Sequence, residues 1–271
     1  MRASGASGGR SVLIALASTV VFAVVVVLVV SNAPGWPEVR RLFFNGRVFR
    51  ESLDVVPEAF LLNIRIFLIA EALILVFALV IAILRSLRGP VFFPLRALAI
   101  AYADFFRGVP TILFIYLLGF GAPALQLSGL PRDVLFWAVV ALVLVYSAYV
   151  SEVYRAGIES VHPSQEAAAR SLGLSQAQAL RYVILPQAVR RVMPPLLNDF
   201  IGLQKDTALV SLLGPVEALR QAQIGAAANF NYTPYVVTAL LFVLLTIPLA
   251  RLTDWLVIRD RRRQLALGGA R

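Results

Sequence analysis

Long uncharged apolar runs constrain this chain more than any other feature. Ser11 to Ala33 contains no charged residue at all. An apolar stretch of about 18 residues or more matches the ~30 Å hydrocarbon core of a bilayer. Further apolar runs follow at about Phe60 to Leu84, Leu98 to Phe120, Val134 to Tyr154 and Pro234 to Val257, with a weaker, more polar one at about Pro194 to Leu213. Within lipid a chain must satisfy its backbone polar groups internally. The expectation is therefore an all-α polytopic membrane protein with about six transmembrane helices. Only 15% of residues are charged, against roughly 25% in soluble domains.

The first run follows Arg2 and Arg10, as a signal peptide would. Its apolar core exceeds the ~7–15 residues of such a peptide, and no A-x-A site follows, so it reads as an anchor. Positive charge orients the rest. Arg85, Arg88 and Arg96 follow the second run, Arg155, Arg170, Arg181, Arg190 and Arg191 follow the fourth, and Arg259, Arg261, Arg262 and Arg263 follow the last. Cytoplasmic loops carry the excess of such residues, which places both termini inside. The exception is the segment from Asn32 to Glu58, with four arginines and four acids, expected to be a short external amphipathic segment. This divides the chain into an anchor and external segment (1–58), a transmembrane domain (59–258) with a loop at 162–191, and a basic tail (259–271). The net charge of +10 thus reflects topology, not a nucleic-acid surface.

The loop after the fourth run is helical without being apolar enough to cross. Pro163 suits a first helical turn, and Glu166 to Leu172 are mostly good helix formers. Gly173 suits a left-handed C-terminus with Leu174 as its apolar partner. Ser175 and Gln178 have capping-box spacing, and Pro186 should kink the second helix, which is expected to end near Ala188.

Gln165 to Ala188, QEAAARSLGLSQAQALRYVILPQA, resembles the EAA loop of ABC importer permeases. That pattern reads EAA, three residues, Gly, nine residues, Ile, one residue, Leu-Pro. From Gly173 the downstream part matches at Val183, Leu185 and Pro186. Upstream, Ala167, Ala168 and Ala169 occupy the EAA places and Glu166 stands one residue early, a turn of about 100° around a helix. Phe105 to Leu118, FFRGVPTILFIYLL, Ser147 to Gly157, SAYVSEVYRAG, and Asn198 to Leu209, NDFIGLQKDTAL, resemble segments of polar-amino-acid permeases.

The resemblance implies a type I ABC importer permease fold whose coupling loop, with Glu166, Ala167, Ala168, Gly173, Leu185 and Pro186, grips an ATPase. It further implies two ATPase subunits, a second permease that is identical or homologous, an external substrate-binding protein and a polar amino acid as cargo. Other small solutes, or an ion-coupled secondary transporter using Glu71, are the alternatives. Polar residues inside spans are candidates for the translocation path or the permease interface: Glu71, Asn198, Lys205, Asp206 and Thr207. Arg65 is a possible partner for Glu71. Arg107 to Pro110 reads as a break at the membrane interface. No catalytic set, metal cluster or cofactor fingerprint is present. Lys205, the only lysine, lacks the Gly-Lys-Ser/Thr context of a phosphate-binding loop.

Overall fold

The computed structural model describes residues 5–87 and 89–268, with side chains for 11–87 and 89–259. Every regular element among them is helical. An isolated helix α1, Gly5–Ser31, is followed by the short amphipathic α2, Trp36–Phe43. The 41-residue α3, Gly46–Ser86, starts from Asn45, whose side chain accepts from Arg47 N and Val48 N. Then come α4, Phe93–Gly108, and α5, Thr111–Tyr116, which runs through a π-helical turn, Leu117–Gly121, into α6, Ala122–Ala124. α7, Val134–Glu159, leads to the short pair α8, Pro163–Ser171, and α9, Gln176–Ala179. A second π-turn, Leu180–Ile184, opens into α10, Leu185–Asp206, extended by a 3-10 segment, Thr207–Leu213. α11, Ala218–Asn229, and the long α12, Thr233–Gly268, complete the chain.

The core lies where α3, α7 and α10 meet. Alanines at 70, 78, 138 and 141 and the larger Ile66, Ile74, Leu142 and Leu203 fill it. Small residues let helix backbones approach closely, which is how helices pack in lipid. Gly157 shows this best. A Cβ there would come within 1.9 Å of Val192 Cγ1, so α7 and α10 cross in contact beside the α8–α9 loop.

The span count differs from the expected six. Among the described residues four helices are long and apolar enough to cross, or five if the α4–α5 pair, bent by 101°, is one span. The bend falls at Gly108–Val109–Pro110, as expected. The run at 194–213 is instead the second half of α10 plus the 3-10 segment, too polar to qualify alone. It is also continuous with the α8–α9 loop: the helix expected to end near Ala188 runs on to Asp206. Pro186 causes no break because the preceding π-turn absorbs its missing N–H, with Leu185 N donating to Leu180 O. Pro194 and Pro195 likewise sit inside the helix. The segment expected to be external, 32–58, is part helix α2 and part the first turns of α3. Two of its four arginines are paired there, Arg41 with Glu38 and Arg47 with Glu51. The expected tail continues α12, and the side chains of Arg261, Arg262 and Arg263 lie outside the described residues.

Gly157→Val should destabilise the α7–α10 crossing by about 1–3 kcal/mol, the usual cost of overpacking. The check is the thermal midpoint of the purified chain in nanodiscs. Adding Val192→Ala should restore most of the loss.

Candidate functional site

The α8–α9 loop is built by its caps. His162 caps α8 by accepting from Ser164 N, and Pro163 occupies the first turn. Gly173 closes the helix at φ +87, with Gly173 N donating to Arg170 O and Leu174 N to Ala169 O. The Ser175–Gln178 capping box is present in both directions. Ala167 and Ala168 are exposed, as are Gly173, Leu185 and Pro186. Glu166 is turned inward and half-buried, lining a groove of about 440 Å³ with Glu159, His162, Leu180 and Ile184. Arg191 fastens the loop to the end of α7 by donating to Ser160 O.

Above the loop, Glu152 gathers three arginines. Arg85 of α3 donates to it at 2.6 Å, Arg155 pairs with it, and Arg107 approaches to 3.8 Å from the α4–α5 elbow. The ends of three helices are thereby tied together beside the coupling loop.

The candidate path residues separate onto two stripes of α10. Asn198 and Lys205, seven residues apart, are exposed on the outside of this chain. Asp199 and Asp206 turn towards α7, where Tyr146 donates to Asp206 Oδ2 at 2.9 Å. One oxygen of Asp199 is buried without a partner. Glu71 of α3 is close enough to Asp199 for their charges to interact, while no ion pair joins it to Arg65. The sequence-named set is thus not one cluster.

Thr207 belongs to a third arrangement. Asn63 of α3 donates to Thr207 Oγ1 at 3.1 Å and to Glu217 Oε2 at 2.8 Å, and accepts from Ala218 N. Glu217 also caps α11 by accepting from Leu219 N and Arg220 N. All three side chains are buried. Gln204, one turn earlier, accepts from Thr246 of α12 at 2.9 Å. This clamp joins α3, the 3-10 segment and α11. Asn63 and Glu217 were not singled out from sequence. Asn63 was detectable as a polar residue inside an apolar run, and Glu217 as an acid just before a helix.

These features fit a membrane subunit with a docking loop at one end and a polar interior. The model for the binding-protein-dependent transport system inner membrane component matches residues 75–262. The chain belongs to that family. The probable glutamine ABC transporter permease protein GlnM of Bacillus subtilis (strain 168) is 33% identical over 207 residues, covering 76% of this chain and 93% of that protein. The arginine transport system permease protein ArtQ of the same organism is 32% identical, covering 73% and 90%. A crystal structure of an amino acid ABC transporter with histidines superposes with a TM-score of 0.69 at 31% identity, covering 78% of this chain and 95% of that one. The fold is therefore that of a type I ABC importer permease. The family match begins inside α3, so α1 and α2 precede the matched region.

Asn63→Leu should cost about 1–3 kcal/mol, because Ala218 N loses its acceptor and Glu217 a donor in a buried site. Faster backbone hydrogen exchange through Thr207–Leu213 and the first turn of α11, with exchange in α7 unchanged, is the expected signature.

Proposed function

We propose that this permease carries a polar amino acid inward, driven by a separate ATPase and supplied by an external binding protein. The observation that carries this reading is the exposed, doubly capped α8–α9 loop, continuous through the π-turn with the polar helix α10. Movement of the loop is thereby transmitted to Asn198, Lys205 and Asp206. The amino-acid cargo rests on the relatives: proteins named for glutamine and arginine transport match most of the chain.

The working unit is two permeases, identical or homologous, each gripping one ATPase through residues 162–191. Both termini lie in the cytoplasm, and the Glu71, Asn198, Lys205 and Asp206 side chains serve the route or the permease–permease seam. The chain itself contributes no nucleotide chemistry. ATP-driven closure of the ATPase pair would bring the two loops together and favour an outward-facing bundle. The loop and the external face then bias one two-state element, the requirement for coupling. Exposure of Lys205 on the isolated chain fits a residue that meets the cavity or the second permease, since a lysine facing lipid costs a few kcal/mol.

The test is reconstitution with the ATPase and the binding protein in proteoliposomes. ATP hydrolysis should rise with loaded binding protein, and uptake should vanish with a hydrolysis-dead ATPase. Uptake that persists and follows a proton gradient would overturn the reading. Gly173→Val places a β-branched residue at positive φ, a strain of about 1–2 kcal/mol. The variant should insert normally yet lose the ATPase in a membrane pull-down. Lys205→Met should reduce uptake with assembly intact if the residue serves the route, or dissociate the complex in mild detergent if it serves the seam.

A further inference from the structure

We infer that the turn joining α3 to α4 is a seat for an anionic phospholipid, its phosphate on Arg96 and its acyl chains against Val91, Phe92 and Phe93. The inference goes beyond the transport reading and is independent of the cargo. α3 by itself, and α4 together with α5, are long and apolar enough to cross a membrane. The turn between them therefore lies at an edge of the bilayer, whichever face that is. Gly89 stands there at φ +99, and Phe93 N donates to Pro90 O at 3.1 Å as α4 begins.

Three observations carry this. First, the tip of the turn is apolar and uncovered. Val91 is 82% exposed, and Phe92 and Phe93 are exposed beside it. Side chains of this kind gain by leaving water. The adjoining helical turns expose apolar side chains too, Ile83 on α3 and Leu95 and Leu98 on α4. Acyl chains can cover the tip and these neighbours alike. Secondly, the charge around the tip has one sign. From Arg85 to Ala103 the sequence holds three arginines and no acid. Arg85 is committed to Glu152 of α7 at 2.6 Å. Arg96 pairs with no acid among the described residues. Other arginines, Arg50 among them, are also without an acid, so the decisive feature is where Arg96 is held. That is the third observation. Its guanidinium lies 5.7 Å from the centroid of the Phe93 ring, and its Nη1 donates to Leu87 O at 3.4 Å. The two contacts come from either side of the turn and keep the half-buried cation beside the apolar tip. Most of its donors are left for phosphate oxygens, which a planar guanidinium suits. A zwitterionic headgroup brings its own cation to its phosphate. An anionic one leaves its charge for the arginine, as basic residues next to a membrane span favour. Through Arg85 and Glu152 the seat is also tied to the end of α7 that leads into the α8–α9 loop.

The rival occupant is the ATPase, and the experiment separates the two. The chain has no cysteine, so Val91→Cys supplies a single thiol for a fluorescent label at the tip. The labelled full chain is placed in phosphatidylcholine nanodiscs. These contain the same small fraction of either phosphatidylglycerol or phosphatidylcholine carrying a nitroxide on the acyl chain, and quenching is read for each. Quenching by the phosphatidylglycerol probe should exceed that by the phosphatidylcholine probe by about fivefold, the effect of roughly one arginine at a charged surface. Arg96→Gln should bring the ratio close to one while both probes still quench. Arg50→Gln, at the opposite end of α3, should leave the ratio unchanged. Should Arg96→Gln fail to insert, the labelled chain with Arg96 intact decides alone, because high salt must then abolish the preference. Equal quenching by the two probes, or a preference indifferent to Arg96→Gln or to salt, would overturn the inference. So would a label that neither lipid quenches and that the added ATPase shields, which would make the tip a protein-docking surface.

Discussion

The backbone cannot find water within lipid, and that constraint governs where this fold may be irregular. Non-helical hydrogen bonding is tolerated at membrane depth only where protein surrounds it. The two departures here obey this by meeting each other. The π-turn Leu117–Gly121 faces the 3-10 segment Thr207–Leu213, so tightly that a Cβ on Gly119 would come within 2.2 Å of Leu213. Gly214 then leaves the 3-10 segment at φ +107. The orphan N–H groups that begin α11 are taken up by Glu217, and Asn63 satisfies the remaining one. A 3-10 stretch of this length is uncommon and often marks a hinge. Its polar clamp ties it to α3 and α11.

Charge is handled by the same economy of placement. Arg85, Arg107 and Arg155 share one acid, Glu152, which bridges α3, α7 and the α4–α5 elbow, and Arg155 also pairs with Glu159. Such pairs contribute little to net stability when solvated. Their consequence is geometric: the elbow cannot swing without parting Arg107 from the residue that also holds Arg85. The ends of the core helices are thereby tied together beside the loop that follows Gly157. Deeper in the bundle the acids have fewer partners. Asp206 has Tyr146, while Asp199 retains a free oxygen.

What the sequence made legible follows from how local each signal is. Gly173, Ser175 and Pro163 announced themselves because a cap is decided within four or five residues. The bend at Gly108–Val109–Pro110 was legible for the same reason. The span count was not, since hydropathy over a window treats 194–213 as one weak span and is blind to the helix entering it from Gln176. Pro186, expected to kink the helix, stands in the first turn of α10 directly after a π-turn, and the π-turn has no strong local signature. The division of Asn198, Asp199, Lys205 and Asp206 onto two faces was available in principle from a 100° helical step. Which face meets α7 was not, because Tyr146 lies 60 residues away in sequence. The clamp is the extreme case, with 154 residues between Asn63 and Glu217.

The one-residue displacement of Glu166 acquires meaning from this geometry. On a helix whose buried contact is Ala169, position 166 lies one turn earlier on the same inward side. Ala167 and Ala168 are left on the exposed surface. The surface at the place where the related pattern has its acid is thus small and uncharged. The carboxylate instead lines the groove against α7 and the π-turn, with His162 and Glu159. The same surface carries the capped turn at Gly173 and the exposed Leu172, which is 84% accessible. A flat alanine face flanked by one protruding leucine suits insertion into a cleft, where burying that side chain is worth about 1.5–3 kcal/mol. The acid lies instead between the loop and the end of α7.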